Sequence, residues 1–141
     1  MEQRTKSRAG AVGIMQVRPS TAAGSPINIR HIEVLENNIH AGSKYMRHLI
    51  DTYFHGEHID PLNQQLFALA AYNSGQSRVA RLRKAAEAKG LNPNVWFNNV
   101  EKIAAKEIGR ETVQYVSNIY KYYTSYRALS EYGVRSGKRL I

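Results

Sequence analysis

Apolar positions recur along most of this chain at three- and four-residue spacing, the signature of helices packed by one face. Ile39, Gly42, Tyr45, Met46, Leu49 and Tyr53 fall on one such stripe, predicting a helix that Asn37 or Asn38 can cap. Gly42 within the stripe suggests close packing. A loop over 54–61 separates it from a second helix carrying Leu62, Leu66, Phe67 and Ala70, with Gly75 placed as a left-handed terminal residue. Ser77 is the expected cap of a third helix, which turns Val79, Leu82 and Ala86 inward and stops at Gly90. The Asn92-Pro93 turn then precedes Val95, Trp96, Phe97, Val100, Ile103 and Ala104, again at helical spacing and broken before Gly109. A last helix, over about 111–126, is expected to bury Val113, Val116, Ile119, Tyr120 and Tyr123.

Alternation of apolar and polar residues is missing, and no repeat of fixed period occurs. Ile27 to Ile32 is the only β-branched run, and it lies in a stretch rich in Ser, Pro and Asn. The fold expected is therefore all-α. At 141 residues the chain suits one domain with a single core. Residues 128–141 are expected to form a flexible basic tail. No apolar run approaches the roughly 20 residues that span a bilayer. The N-terminus lacks the basic-then-apolar pattern of a secretory leader. With no cysteine, disulfides and thiolate metal sites drop out.

Twenty basic against 11 acidic residues give a formal charge of +9, which favours anionic partners: nucleic acid, acidic lipid or cell wall. Arg78, Arg81, Arg83 and Lys84 accompany the third helix and are expected on its solvated face. The five histidines, His31, His40, His48, His55 and His58, offer no ligand pair backed by a third residue.

Candidate chemistry lies in two places. From Ser7 to Gln16 the chain reads Ser-Arg-Ala-Gly-Ala-Val-Gly-Ile-Met-Gln, a composition that lets backbone approach a ligand or a neighbouring helix. Ala70 to Gly75 reads Ala-Ala-Tyr-Asn-Ser-Gly and sets a phenol and an amide at a helix end. Tyr72 and Asn73 there suit the reading of hydroxyl and acetamido groups. Tyr72 taken alone reads rather as a core position with its hydroxyl satisfied. In this order the two segments resemble the lysozyme-like catalytic domain of lytic transglycosylases, in which they line one sugar-binding groove. Asn38 to Gly42, Pro93 to Phe97 and Glu111 to Val116 extend the resemblance over nearly the whole chain. It is nearest to a membrane-bound member in which this domain follows a periplasmic solute-binding-like domain.

The resemblance implies peptidoglycan glycan strands as partner, a periplasmic or envelope location, and no role in nucleic-acid binding. A membrane would be reached only through an anchor outside this chain. The implied reaction cleaves the bond between N-acetylmuramic acid and N-acetylglucosamine without water, leaving a 1,6-anhydro end. One glutamic acid does both proton transfers, and the resemblance implies neither a metal nor an organic cofactor. Its place in the family pattern falls about three positions before Met1, and Glu2, eight positions before Gly10, is an ordinary acidic residue. The chain is thus expected to lack the acid and the first helix, and to be inactive by itself. By the same resemblance Tyr72 supports the catalytic acid, while Ser7, Met15, Gln16, Asn73, Glu111 and Tyr115 contact sugar. Glu111-Thr112 also suits a helix start, where an acidic side chain meets the dipole favourably. Tyr115, Tyr122 and Tyr126 share a helix face. Two other function classes remain: a glycan-binding module without catalysis, and a basic helical nucleic-acid binder.

Overall fold

The computed structural model describes Lys6, Met15, Gln16 and residues 18–135. Among them are six α-helices and no strand. The chain divides into two compact units, residues 1–57 and 58–141. Among the described residues no helix is long and apolar enough to cross a membrane.

In the first unit a short helix α1 (Pro19–Ala23) packs on α2 (Leu35–Leu49), which runs on into a π-helical turn, Ile50–Phe54. Pro19 opens α1, where its fixed φ suits a first turn and its missing N–H costs nothing. The sequence pattern left α1 unseen because five residues are too few to show a period. The β-branched run is loop, as expected, yet Ile27 and Ile32 are each only 2% exposed and pin that loop to the core. Lys44 reinforces it, donating to the Ile27 carbonyl at 3.0 Å.

Two expectations for α2 are corrected. The helix starts at Leu35, so neither Asn37 nor Asn38 caps it. Both amides instead hold the preceding loop: Asn37 donates to the carbonyls of Arg30 and His31, and Asn38 to that of Ile32. The buried face is also rotated. Asn38, Ala41, Gly42 and Leu49 are buried, whereas Ile39 and Tyr53 are 43% and 41% exposed. The widened π turn explains Tyr53, because five residues rather than four separate inward positions there. Phe54 takes the place after Leu49.

In the second unit α3 (Pro61–Ser74) packs against α4 (Gln76–Ala88) and α6 (Arg110–Arg135), and α5 (Glu101–Glu107) packs against α6. Asp60 caps α3, its carboxylate accepting from the Asn63 N–H at 2.8 Å. Leu66, Phe67 and Ala70 are buried as expected, while Leu62 faces out. Gly75 does end α3, with the positive φ of 98 that glycine adopts readily, although its ψ of 141 lies outside the left-handed helical region. It is the cap of α4 too, so Ser77 lies within the first turn instead of capping it. At the other end of α4 the N–H of Leu91 reaches the Ala86 carbonyl and that of Gly90 the Glu87 carbonyl, the paired bonds of a Schellman stop.

The helix expected from Val95 to Ala104 is broken. Phe97 is extended and Asn98 left-handed at φ 61, so a wide turn over Trp96–Val100 precedes α5. The break is set by packing. Trp96 is fully buried, its ring edge-on to Phe67 at 6.2 Å, and its backbone N–H donates to Asn63 Oδ1 at 2.9 Å. The last helix continues to Arg135, well past the expected end near Tyr126. Among its described side chains Val116 is fully buried, and Val113, Ile119 and Tyr120 are partly covered. The side chains of Tyr123 and Tyr126 lie outside what is described.

Candidate substrate site

Among the described residues, those singled out in the sequence fall in two polar constellations, one in each unit. In the first it is the Met15-Gln16 turn on α2. Asn38 is fully buried, and its side-chain oxygen accepts the Met15 N–H at 2.8 Å while its nitrogen donates to Ile32 at 2.9 Å. One turn along α2, Gly42 has no side chain where the Met15 side chain lies. A β-carbon there would stand 2.7 Å from Met15 Cβ and Cε, closer than real side chains approach. Asn38 and Gly42, four residues apart, share a helix face. Gln16 follows with φ 49, a left-handed conformation seldom taken by residues with a side chain. Nearby, burial pushes the Tyr45 phenol up; the Tyr53 phenol adds to this and Arg18 opposes it. Tyr45 therefore stays neutral at physiological pH.

The second constellation joins the end of α3 to the first turn of α6. Asn73 is exposed at the end of α3, and its side-chain oxygen accepts from the Thr112 hydroxyl at 2.8 Å. Thr112 itself is buried, at 5% exposure. The bond uses the oxygen end of the Asn73 amide, so the amide nitrogen is the end set to donate outward. Tyr72, beside it, is half-buried. Glu111 is exposed at the start of α6, and Tyr115, one turn on, is largely covered. Burial pushes the Tyr115 phenol up to about 12, which keeps it a neutral donor.

Of the residues singled out in the sequence, Met15 and Gln16 stand together in the first unit, and Tyr72, Asn73, Glu111 and Tyr115 belong to the second. Ser7 lies outside the described residues, as do Glu2 and Gly10. Sequence reasoning missed Asn38 as the anchor of the Met-Gln turn, and Thr112 as the buried partner in the Glu111-Thr112 pair. The signal for Asn38 was its four-residue spacing from Gly42. Thr112 gave none beyond its neighbour. The basic cluster also needs correcting. Arg78, Arg81 and Lys84 are exposed, but Arg83 turns in, donating to the Pro93 carbonyl and Asn94 Oδ1 at 2.8 and 2.9 Å. Its guanidinium lies 5.0 Å from the centre of the Phe67 ring.

A helical domain with a glycine-seated Met-Gln turn and a tethered Tyr-Asn helix end defines a class. Residues 1–95 match the transglycosylase SLT domain, and the chain belongs to that family, whose fold is lysozyme-like and helical. Among its relatives is the membrane-bound lytic murein transglycosylase F of Shewanella woodyi, 33% identical over 132 residues, which cover 84% of this chain and 26% of that protein. The protein of the same name from Pseudomonas fluorescens is 30% identical over 130 residues, covering 83% of this chain and 26% of its own length. The chain thus spans about a quarter of these relatives.

Proposed function

We propose that this chain supplies the glycan-holding part of a peptidoglycan lytic transglycosylase acting in the cell envelope. The observation that carries the reading is the Thr112–Asn73 bond, which fixes an exposed amide beside Tyr72 at the end of a buried helix. A fixed amide suits an N-acetylated sugar, since its nitrogen donates to a hydroxyl or acetamido oxygen at little ordering cost. Gln16 offers a second amide, held by an anchored turn. Tyr72 and Tyr115 bring phenol donors, and Glu111 accepts from sugar hydroxyls.

The reaction needs one carboxylic acid, which the family pattern sets in a Glu-Ser pair at a helix end. As the acid it protonates the glycosidic oxygen while the bond from the muramic C1 to that oxygen breaks. As the carboxylate it then takes the proton of the same sugar's 6-hydroxyl, whose oxygen bonds to C1. Water is not consumed, and the acid ends as it began. Tyr72 is assigned the hydrogen bond that steadies this group.

The test compares two proteins on purified sacculi: the chain as given, and the chain extended upstream by a helix ending in Glu-Ser. Mass spectrometry of the released fragments should find anhydro ends, lighter by one water than hydrolytic ends, from the extended form. Hydrolytic ends would overturn the reaction type. Tight glycan binding by the extended form without any product would make this a binding module.

A further inference from the structure

We infer that Asn38 and Gly42 are a positioning pair for the Met15-Gln16 turn, Asn38 by fixing its backbone and Gly42 by seating Met15, so that Gln16 is presented to an N-acetylated sugar. The inference rests on the proposed function and extends it to residues that touch no ligand. Three observations converge. Asn38 is fully buried with both ends of its amide engaged, one on Met15 and one on Ile32. An aspartate there would lose the donor, and a leucine would lose both bonds. At Gly42 the α2 surface is bare where Met15 lies, with no room for a methyl group. Finally, Gln16 holds φ 49, a conformation an L-residue keeps only when its surroundings impose it. The Asn38 bond and the Met15 seat are restraints on the residue just before it.

The pair differs from ordinary core residues in where its loss is felt. Removing a core methyl lowers stability and leaves a folded fraction that binds normally. Displacing Met15 tilts the turn, and the folded protein then loses the contact that Gln16 makes.

The experiment measures binding of chitotetraose, an N-acetylglucosamine tetramer, to the 141-residue chain and its variants, together with amide exchange at Met15. Gln16→Ala should weaken binding about five-fold, the scale of one hydrogen bond. Gly42→Ala should weaken it by a similar factor, and Gln16→Ala added to Gly42→Ala should cost less than about two-fold more, because the contact is already gone. The control is Ala104→Gly in α5, which lowers stability in the other unit and should leave affinity unchanged. Independently of sugar, Gly42→Ala should speed exchange of the Met15 amide at least about ten-fold relative to the slowest amides, by breaking its bond to Asn38. Additive losses from Gln16→Ala and Gly42→Ala would overturn the inference, as would a Met15 amide exchanging at the native rate in Gly42→Ala. If the parent chain binds no chitotetraose or Gln16→Ala has no effect, the proposed function fails, and the exchange result alone then decides whether the pair positions the turn.

Discussion

Thr112 and Asn73 are 39 positions apart in the chain and meet through their side chains at 2.8 Å. Two segments that resemble separate family motifs are therefore one hydrogen-bonded unit. Thr112→Val keeps the shape and removes the hydroxyl, so the helix interface stays filled while Asn73 loses its tether. Urea unfolding should show a loss of about 1 kcal/mol, the usual net worth of such a bond. Thr112→Ser should recover most of it. In the cycle with Asn73→Ala, the second substitution should add little to the first.

Asn63 has a heavier structural task. Its oxygen accepts the buried N–H of Trp96, and its nitrogen donates to the Asp60 carboxylate at 2.9 Å. Asn63→Ala should cost about 3 kcal/mol, since it strands a buried donor as well as deleting a bond. Asp60→Ala, which removes the cap and the acceptor of the Asn63 amide but strands no fully buried backbone donor, should cost less, about 1–2 kcal/mol. Thermal unfolding of the two variants gives the order.

Arg83 should stand apart from its basic neighbours. Arg83→Lys keeps the charge but loses the planar fork that reaches Pro93 and Asn94 while lying over Phe67, and should destabilise by about 1–2 kcal/mol. Arg78→Lys and Arg81→Lys should each stay within about 0.5 kcal/mol of the parent. Equal effects at all three would remove the distinction.

Tyr115 makes a pH prediction with a definite sign. Its folded value, about 12, lies above the unfolded value of 10.0. From pH 10 upward the unfolded state therefore releases this proton first, and stability falls as pH rises. The loss begins near pH 10, levels off near pH 12, and is on the order of 2 kcal/mol. Tyr115→Phe should unfold with a shallower alkaline slope than the parent in urea titrations between those limits.

Period and punctuation made much of the helical scaffold legible. The inward face of α3, the stop at Gly90 and the break at Gly109 follow from local spacing and backbone preference. What the pattern misplaced depended on distant partners. Asn38 looks like a cap because asparagine favours caps, but its buried bonds to Met15 and Ile32 hold it inside α2. Val95 to Ala104 keeps helical spacing, yet the bond from Trp96 to Asn63 and the left-handed Asn98 accompany a break that no local preference announces. The candidate site divides the same way. Met15, Gln16, Tyr72 and Asn73 stood out by resemblance, whereas Asn38 and Thr112 act through hydrogen bonds to residues far along the chain, Met15 and Asn73.

Asn-Ser-Gly-Gln-Ser, at 73–77, has the look of a protease-sensitive loop tip, small and polar throughout. Gly75 denies it that character. It is the only non-helical residue between α3 and α4, so there is no stretch of chain to lie extended in a protease cleft. Nicking at this joint first requires unwinding a turn of one helix or the other, which ties cleavage there to opening of the helical hairpin. The loop over 55–60, exposed at every residue but Ile59, carries no such requirement, and limited digestion of the native chain should enter there before this joint.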